Sequence, residues 1–122
     1  LAIIHNNLGI ALFAEKKNEE AIYHYKRAIT LNPDFATLAH YNLGILLFAD
    51  GKNEQAISHY KIALQLNPNF TNAHYNIGIV LLQKGEMKEA VYHFRETVRL
   101  RPDLVVARDY LKFALLQTQK TK

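Results

Sequence analysis

The chain contains no cysteine, no tryptophan and a single methionine among its 122 residues. Without cysteine it has neither a disulfide scaffold nor a thiolate metal site. The longest apolar stretch, from Leu43 to Ala49, falls far short of the roughly 18 residues that a membrane-spanning helix needs. Gly-rich phosphate loops, nucleophile elbows and recurring carboxylate pairs are also missing. These absences predict a protein that is not an enzyme, with no cofactor, no metal site and no small-molecule substrate.

Proline and glycine are scarce too, yet most of them occupy equivalent positions along the chain. The three prolines are Pro33, Pro68 and Pro102, and three of the five glycines are separated by 35 and then 34 residues. Other residues recur in the same register, namely Asn-Leu-Gly or Asn-Ile-Gly (Gly9, Gly44, Gly78), an alanine (Ala21, Ala56, Ala90) and an aromatic residue (Tyr25, Tyr60, Phe94). A period of this length with helical hydrophobic spacing predicts a solenoid of helix pairs.

Glycine and proline also mark the expected ends of the helices. Gly51 and Gly85 supply the left-handed residue that ends a helix, whereas Lys16 takes that position in the first repeat. The predicted first helices span approximately 2–15, 37–50 and 71–84, the second helices approximately 18–31, 53–66 and 87–100, and a last helix approximately 105–119. We expect Gly9, Gly44 and Gly78 to meet the small alanines of the second helices, because small side chains let two helices cross closely.

The Leu-Gly, alanine, aromatic and proline positions together resemble the tetratricopeptide repeat (TPR) family. The resemblance covers three whole repeats, approximately 2–35, 37–70 and 71–104, and a capping helix at approximately 105–119. Within the family, the Asn-Leu-Gly and Ala-Ile-x-His-Tyr sequences are most similar to repeats of O-linked N-acetylglucosamine transferase and of bacterial arrays. The resemblance implies one all-α domain over residues 1–122, a right-handed superhelical solenoid that serves as a protein–protein interaction scaffold. Its first helices would line a concave groove.

The resemblance also implies which side chains face that groove. They are Ile3, Asn6, Asn7, Ile10 and Phe13 in the first repeat; Leu38, Tyr41, Asn42, Ile45 and Phe48 in the second; Asn72, Tyr75, Asn76, Ile79 and Leu82 in the third; and Val106, Asp109, Tyr110 and Phe113 in the capping helix. Asn7, Asn42 and Asn76 form one row, and Ile10, Ile45 and Ile79 form a second row beside it.

The row of asparagines suggests how a ligand would be held. A carboxamide can pair with both the C=O and the N–H of a peptide main chain. Repeats about 10 Å apart match roughly three residues of extended chain at about 3.3 Å each. We therefore predict that Asn7, Asn42 and Asn76 form a ladder that binds an extended, partly apolar peptide or protein segment. The other predicted contacts come from Ile10, Ile45, Ile79, Phe13, Phe48, Tyr41, Tyr75, Asn6 and Asn72.

Other interpretations of the same surface remain open. The asparagines could serve only to cap or solvate their helices. The apolar groove, or the open repeat end at Leu1–Ile4, could self-associate into a homo-oligomer, and the chain could be an accessory repeat segment of a larger glycosyltransferase or membrane protein. A basic clamp for acidic chaperone tails, known in this family, is not expected, because Ile10, Asn72 and Asn76 occupy places where the clamp needs other side chains.

The charge is concentrated in the last third of the chain. Residues 87–122 contain eight of the 15 Lys and Arg residues but only four of the 11 Asp and Glu residues. Such an excess could contact an anionic surface, although basic residues spread over two helices are more typical of a solvated face. The chain begins at Leu1 with the first motif already under way, so we expect a fragment of a longer protein. No signal specifies the compartment; the cytoplasm is favoured.

The six histidines occupy two repeat positions: His5, His40 and His74 on the first helices, and His24, His59 and His93 on the second helices. Such regularity could suggest metal ligands. Zinc ligands must converge to about 2.0–2.3 Å from one point, whereas equivalent positions in a solenoid lie far apart. We therefore expect the histidines to be packing residues.

Overall fold

The computed structural model describes residues 1–120, which form helices and no strand. The α-helices are α1 (Ala2–Ala14), α2 (Asn18–Leu31), α3 (Ala36–Ala49), α4 (Asn53–Leu66), α5 (Thr71–Lys84), α6 (Met87–Leu100) and α7 (Val105–Lys120). Each agrees with its predicted span to within one residue, and the fold is the all-α helical repeat solenoid that the period predicts. Within residues 1–120, no helix has the length and apolar character needed to span a membrane.

The turns inside the repeats all use a left-handed residue, as the sequence predicts. The φ angles are +78° at Gly51, +81° at Gly85 and +63° at Lys16. A residue with a side chain pays roughly 1–2 kcal/mol for this conformation, whereas glycine does not. The first repeat therefore has the less favourable turn. Gly9 and Gly44 are one residue further apart in sequence than Gly44 and Gly78, and a short 3-10 helix, Pro33–Phe35, lies between α2 and α3.

The chain divides into two compact units, Leu1–Pro68 and Asn69–Lys122. In the first unit α1 packs against α2, α3 packs against α4, and α2 packs against α3. Tyr25 and Tyr60 fill the two helical hairpins and are almost completely buried. Burial raises the pKa of the Tyr25 phenol to about 12, because the phenolate would lose its hydration.

The glycines of the first helices lie against these aromatic rings. A Cβ atom at Gly9 would lie 2.5 Å from Cε1 of Tyr25, and one at Gly44 would meet the Tyr60 ring just as closely. The sequence predicts that the alanines of the second helices lie against these glycines. The nearest atoms to each absent Cβ belong instead to the tyrosine ring, so that part of the prediction is wrong. The buried tyrosine needs the space that glycine leaves.

In the second unit α5 packs against α6, and α6 packs against α7. Phe94 takes the tyrosine position and lies against Gly78, where a Cβ would come within 2.7 Å of the ring. The Phe94 and Tyr110 rings stack with centroids 5.4 Å apart, and Tyr75 meets both rings edge-on. This aromatic cluster fixes α7 against the preceding helical hairpin, so that the first-helix face of α5 and the inner face of α7 share one surface.

Candidate functional site

The three asparagines of the predicted ladder have different environments. Asn7 on α1 is exposed, Asn76 on α5 is half-buried, and Asn42 on α3 is buried. The Asn42 Nδ2 atom donates a hydrogen bond to Oδ1 of Asn6, with a donor–acceptor distance of 3.0 Å. This bond fixes the orientation of the Asn42 amide and joins α1 to α3. The ladder positions thus do not present three equivalent amides.

Asn6 has a different role from the one that the sequence predicts for it. Its side chain is only 2% exposed, and its oxygen accepts the hydrogen bond from Asn42. A side chain so buried has almost no surface to offer a ligand. The prediction that Asn6 contacts the peptide is therefore corrected: Asn6 instead holds the Asn42 amide in place. An alignment of repeats does not reveal this bond, because it joins two different repeat positions.

The predicted apolar contacts lie on the same helices and are partly open. Ile10 is 46% exposed, whereas Ile45 and Ile79 are half-buried. Phe13, Phe48, Tyr41 and Tyr75 are also half-buried, and Asn72 is exposed at the start of α5. Part of each tyrosine side chain is used in packing, since the Tyr41 and Tyr60 ring centres lie 5.9 Å apart and Tyr75 contacts Phe94 and Tyr110.

A mainly apolar cavity of about 360 Å³ lies between α5 and α7 in the second unit. Its lining comprises Leu82 of α5 with Val106, Asp109, Tyr110 and Phe113 of α7. All five belong to the positions that the sequence assigns to the groove. Asp109 and Phe113 are exposed, while stacking on Phe94 fixes the Tyr110 ring. Burial, followed by the neighbouring Tyr110, raises the pKa of Tyr75.

The histidines form three direct pairs, an arrangement that the packing interpretation does not predict. The Nδ1–Nδ1 distances are 2.8 Å for His5–His24, 3.0 Å for His40–His59 and 3.1 Å for His74–His93. The ring centres lie 5.0, 5.2 and 5.3 Å apart. Each centre-to-centre distance exceeds the nitrogen distance by about two ring radii, so the nitrogens point at each other nearly in line. The rings meet edge to edge rather than face to face.

That in-line arrangement is typical of an N–H···N hydrogen bond and does not suit a chelated metal. Two nitrogens that bind one ion must point to a common third point, at about 2.0–2.1 Å from each for zinc. Within residues 1–120 no group of three or more His, Asp or Glu side chains could hold a metal ion. Burial, followed by the positive field of the partner His59, lowers the pKa of His40, and burial followed by Lys26 lowers that of His59.

Part of the positive charge in the last third is neutralised locally. The Arg99 guanidinium donates to both carboxylate oxygens of Glu96, and Arg101 pairs with Asp103. The hydrogen bond from Arg99 lowers the pKa of Glu96, and that from Arg101 lowers the pKa of Asp103. These exposed pairs reduce the charge that is available for an anionic surface.

Comparison with known sequence families now identifies the repeats. A family profile described as "TPR repeat" matches residues 9–51 and 44–85, and a "Tetratricopeptide repeat" profile matches residues 71–104. The chain belongs to the tetratricopeptide repeat family. In this TPR protein, the asparagine positions therefore lie on the first helices of TPR units, whereas the cavity lies between the first helix α5 and α7, which follows the last matched repeat. A search of curated protein sequences gives no match.

Solved structures with the same fold include TPR domains of different assemblies. The first TPR domain of Spaghetti (RPAP3), bound to the HSP90 peptide SRMEEVD, superposes with a TM-score of 0.87 at 22% identity, covering 97% of this chain and 93% of that one. MamA gives 0.85 at 23%, covering 97% and 64%. A chain of the APC/C hetero-tetramer Cut9-Hcn1 gives 0.84 at 28% identity, and the match covers 93% of this TPR chain but only 23% of that one.

Proposed function

We propose that this TPR protein binds an extended, partly apolar peptide segment of a partner protein along its first helices. The observation that carries the proposal is the apolar cavity of about 360 Å³ between α5 and α7, which is large enough for a bulky side chain. A bound peptide in the structurally similar Spaghetti TPR domain supports this use of the fold. Ile79 in the second unit, and Ile10 and Ile45 in the first unit, would add apolar contacts on their first helices.

The main chain of the peptide would be held by carboxamides. Asn7 is exposed, and Asn42 uses one N–H group on Asn6, which orients the amide in advance. A pre-oriented amide loses less conformational entropy when it binds. Together with Asn76, these residues would act as the ladder that the Asn-Leu-Gly resemblance to O-linked N-acetylglucosamine transferase repeats suggests. Asn72 would add a polar contact at the start of α5.

The charge at the cavity suggests which peptides fit. Asp109 is its only ionisable carboxylate, and the other lining residues are Leu, Val, Tyr and Phe. An apolar anchor residue next to a Lys or Arg would satisfy both the cavity and this carboxylate. An acidic tail would instead meet like charge at Asp109, without the basic clamp. We therefore expect SRMEEVD, the peptide in the Spaghetti complex, to bind weakly here.

A random-peptide display selection against the whole chain tests the proposal. We expect enriched sequences with an apolar residue beside a Lys or Arg, and affinity reduced at least tenfold by Asn7→Ala combined with Asn76→Ala. Gln65→Ala, an exposed carboxamide on a second helix, is the matched control and should leave affinity unchanged. Thermal unfolding of each variant separates loss of binding from loss of fold. No enrichment, or equal binding by the double variant, would contradict the proposal.

A charge-matched pair of variants tests the cationic preference separately. Asp109→Asn should lower the affinity for a peptide with an apolar residue beside a lysine severalfold. The affinity for SRMEEVD should then differ less from the affinity for that peptide. Asp34→Asn makes the same charge change at an exposed position in the first unit and should alter neither. If both variants bind all peptides as the parent chain does, Asp109 plays no part in ligand choice.

Self-association is the second candidate function, and exposed apolar side chains on α1 favour it. Ile4 is 55% exposed and Leu8 is 42% exposed, and both lie near the open repeat end. A homo-oligomer that buries this face would show a concentration-dependent sedimentation coefficient, and Leu8→Lys would abolish that dependence. A monomer at all concentrations would exclude this function.

A further inference from the structure

The histidine pairs recur once in every repeat with the same geometry. Each pair joins a first helix to the following second helix, and the paired residues are always 19 apart in sequence. Burial increases along the chain: His5 and His24 are partly exposed, as are His40 and His59, whereas His74 and His93 are buried. Peptide binding on the first helices does not account for this repeated contact inside the hairpins.

The proton count of each pair follows from the short distance between its Nδ1 atoms. A hydrogen bond between them requires one Nδ1 atom to carry a proton and the other to accept it. A first added proton can go to Nε2 of the donor ring, which keeps the bond and makes it charge-assisted. A second proton can go only to the accepting Nδ1, which removes the bond and brings two cations into contact. Each pair therefore accepts one proton and opposes the next.

The charged groups around each histidine pair influence how readily the pair takes up a proton. His5 faces the Arg27 side chain of α2, and His59 faces Lys26 of α2. His74 and His93 face the carboxylate of Glu96, which Arg99 holds by hydrogen bonds. The phenols of Tyr23 and Tyr92 lie edge-on to His24 and His93, respectively. Cations thus oppose protonation in the first unit, and one carboxylate favours it in the second.

We propose that the three histidine pairs are acid-sensitive latches, which hold the two helices of each TPR unit together at neutral pH and release them when both rings of a pair are protonated. The device is separate from peptide binding, because it acts on the helix–helix contact inside each hairpin. Burial, as the first cause, lowers the pKa of His5, His40 and His59. The unfolded chain therefore takes up protons before the folded chain does, so this stability is complete above the unfolded pKa of about 6.5 and is lost as the pH falls toward the second protonation of each pair.

A nitrogen-detected NMR titration of the unaltered chain tests the shared proton directly. At neutral pH we expect one Nδ1–H and one Nε2–H tautomer in every pair, hence three rings of each kind. On acidification each pair should titrate in two separate steps. Six rings of the same Nε2–H tautomer, each titrating in one step, would overturn the proposal.

Asparagine substitution tests the consequence for stability. The side-chain amide of Asn lies near the position of the His Nδ1 atom, so His24→Asn, His59→Asn and His93→Asn can each keep the hydrogen bond while removing one titrating ring. We expect the melting temperature of the parent chain to fall by about 5 °C or more between pH 7.5 and about pH 5. The triple variant should lose less than half as much. Equal losses in both chains would overturn the proposal.

Two features keep the stability experiment interpretable. The ion pairs Glu96–Arg99 and Asp103–Arg101 hold the pKa of each carboxylate below its ordinary value. These ion pairs therefore break at a lower pH than the one at which the histidines titrate. If the triple variant does not fold, the single variant His24→Asn at a partly exposed pair gives the same test with about a third of the effect. The NMR titration requires no variant.

Discussion

The first and second repeats have nearly the same sequence pattern but differ in what their first helices bury. Leu8 is 42% exposed on α1, whereas the equivalent Leu43 on α3 is 2% exposed. The neighbouring positions behave in the same way: Ile4 and Ala11 of α1 are exposed, and Ala39 and Leu46 of α3 are fully buried. Within the first unit α3 packs against both α2 and α4, whereas α1 packs mainly against α2.

The comparison shows that two kinds of contact make up a repeat. Contacts inside a hairpin, such as Gly9 with Tyr25 and Gly44 with Tyr60, are alike in both repeats. Between the hairpins, α3 packs along the preceding second helix α2, whereas α1 has no preceding second helix within the first unit and contacts the next hairpin mainly through the Asn6–Asn42 hydrogen bond. The same residue type at the same register position is therefore core in one repeat and surface in the next.

The largest expected effect comes from the contact between hairpins. Leu43→Ala should lower the free energy of unfolding by about 3 kcal/mol, because it leaves a cavity at a buried site. Leu8→Ala should cost about 0.5 kcal/mol or less, because that side chain is largely in solvent. Urea denaturation followed by circular dichroism measures both. Equal losses would mean that α1 is covered in solution, as in a homo-oligomer.

The contact inside the hairpins should respond equally in both repeats. Gly9→Ala and Gly44→Ala should each cost about 2 kcal/mol, because the new Cβ overlaps a buried tyrosine ring. Tyr60→Leu should reduce the cost of Gly44→Ala, which a double-mutant cycle measures as a coupling energy. Gly44→Ala without measurable cost would contradict the assignment of the ring as the reason for glycine.

The turns give the smallest effect, with opposite signs in the two repeats. Lys16→Gly should stabilise the chain by roughly 0.5–1 kcal/mol, because it relieves a left-handed backbone. Gly51→Lys should destabilise it by a similar amount, and the open space around Gly51 excludes a steric cause. Thermal unfolding of both variants measures the difference. A destabilised Lys16→Gly chain would show that the Lys16 side chain makes a compensating contact.

Much of the fold follows from single residues that act locally. Each second helix ends two residues before a proline (Pro33, Pro68, Pro102), and each first helix ends near its left-handed turn residue, so the helix boundaries are predictable from sequence. The five residues of the cavity are also among the groove positions that the resemblance to the family implies.

The contacts that sequence reasoning missed join unlike positions of the repeat. Asn6 pairs with Asn42, and His5 pairs with His24. An alignment of the repeats compares only equivalent positions, so it does not show contacts between different ones. The constant separation of 19 residues between paired histidines is the signal that could have predicted them. The tyrosine rings that lie against Gly9 and Gly44 were missed for a related reason. The small size of a glycine does not show which neighbouring side chain occupies the space beside it.

Methyl NMR of the whole chain with a peptide enriched in the display selection tests the central claim most directly. Binding on the first helices predicts chemical-shift changes at the methyl groups of Ile10, Ile45 and Ile79. The methyl groups of Ile22 and Ile62, on second helices, serve as internal controls and should not shift. Shifts concentrated at Ile22 and Ile62, with the first-helix isoleucines unchanged, would contradict the account.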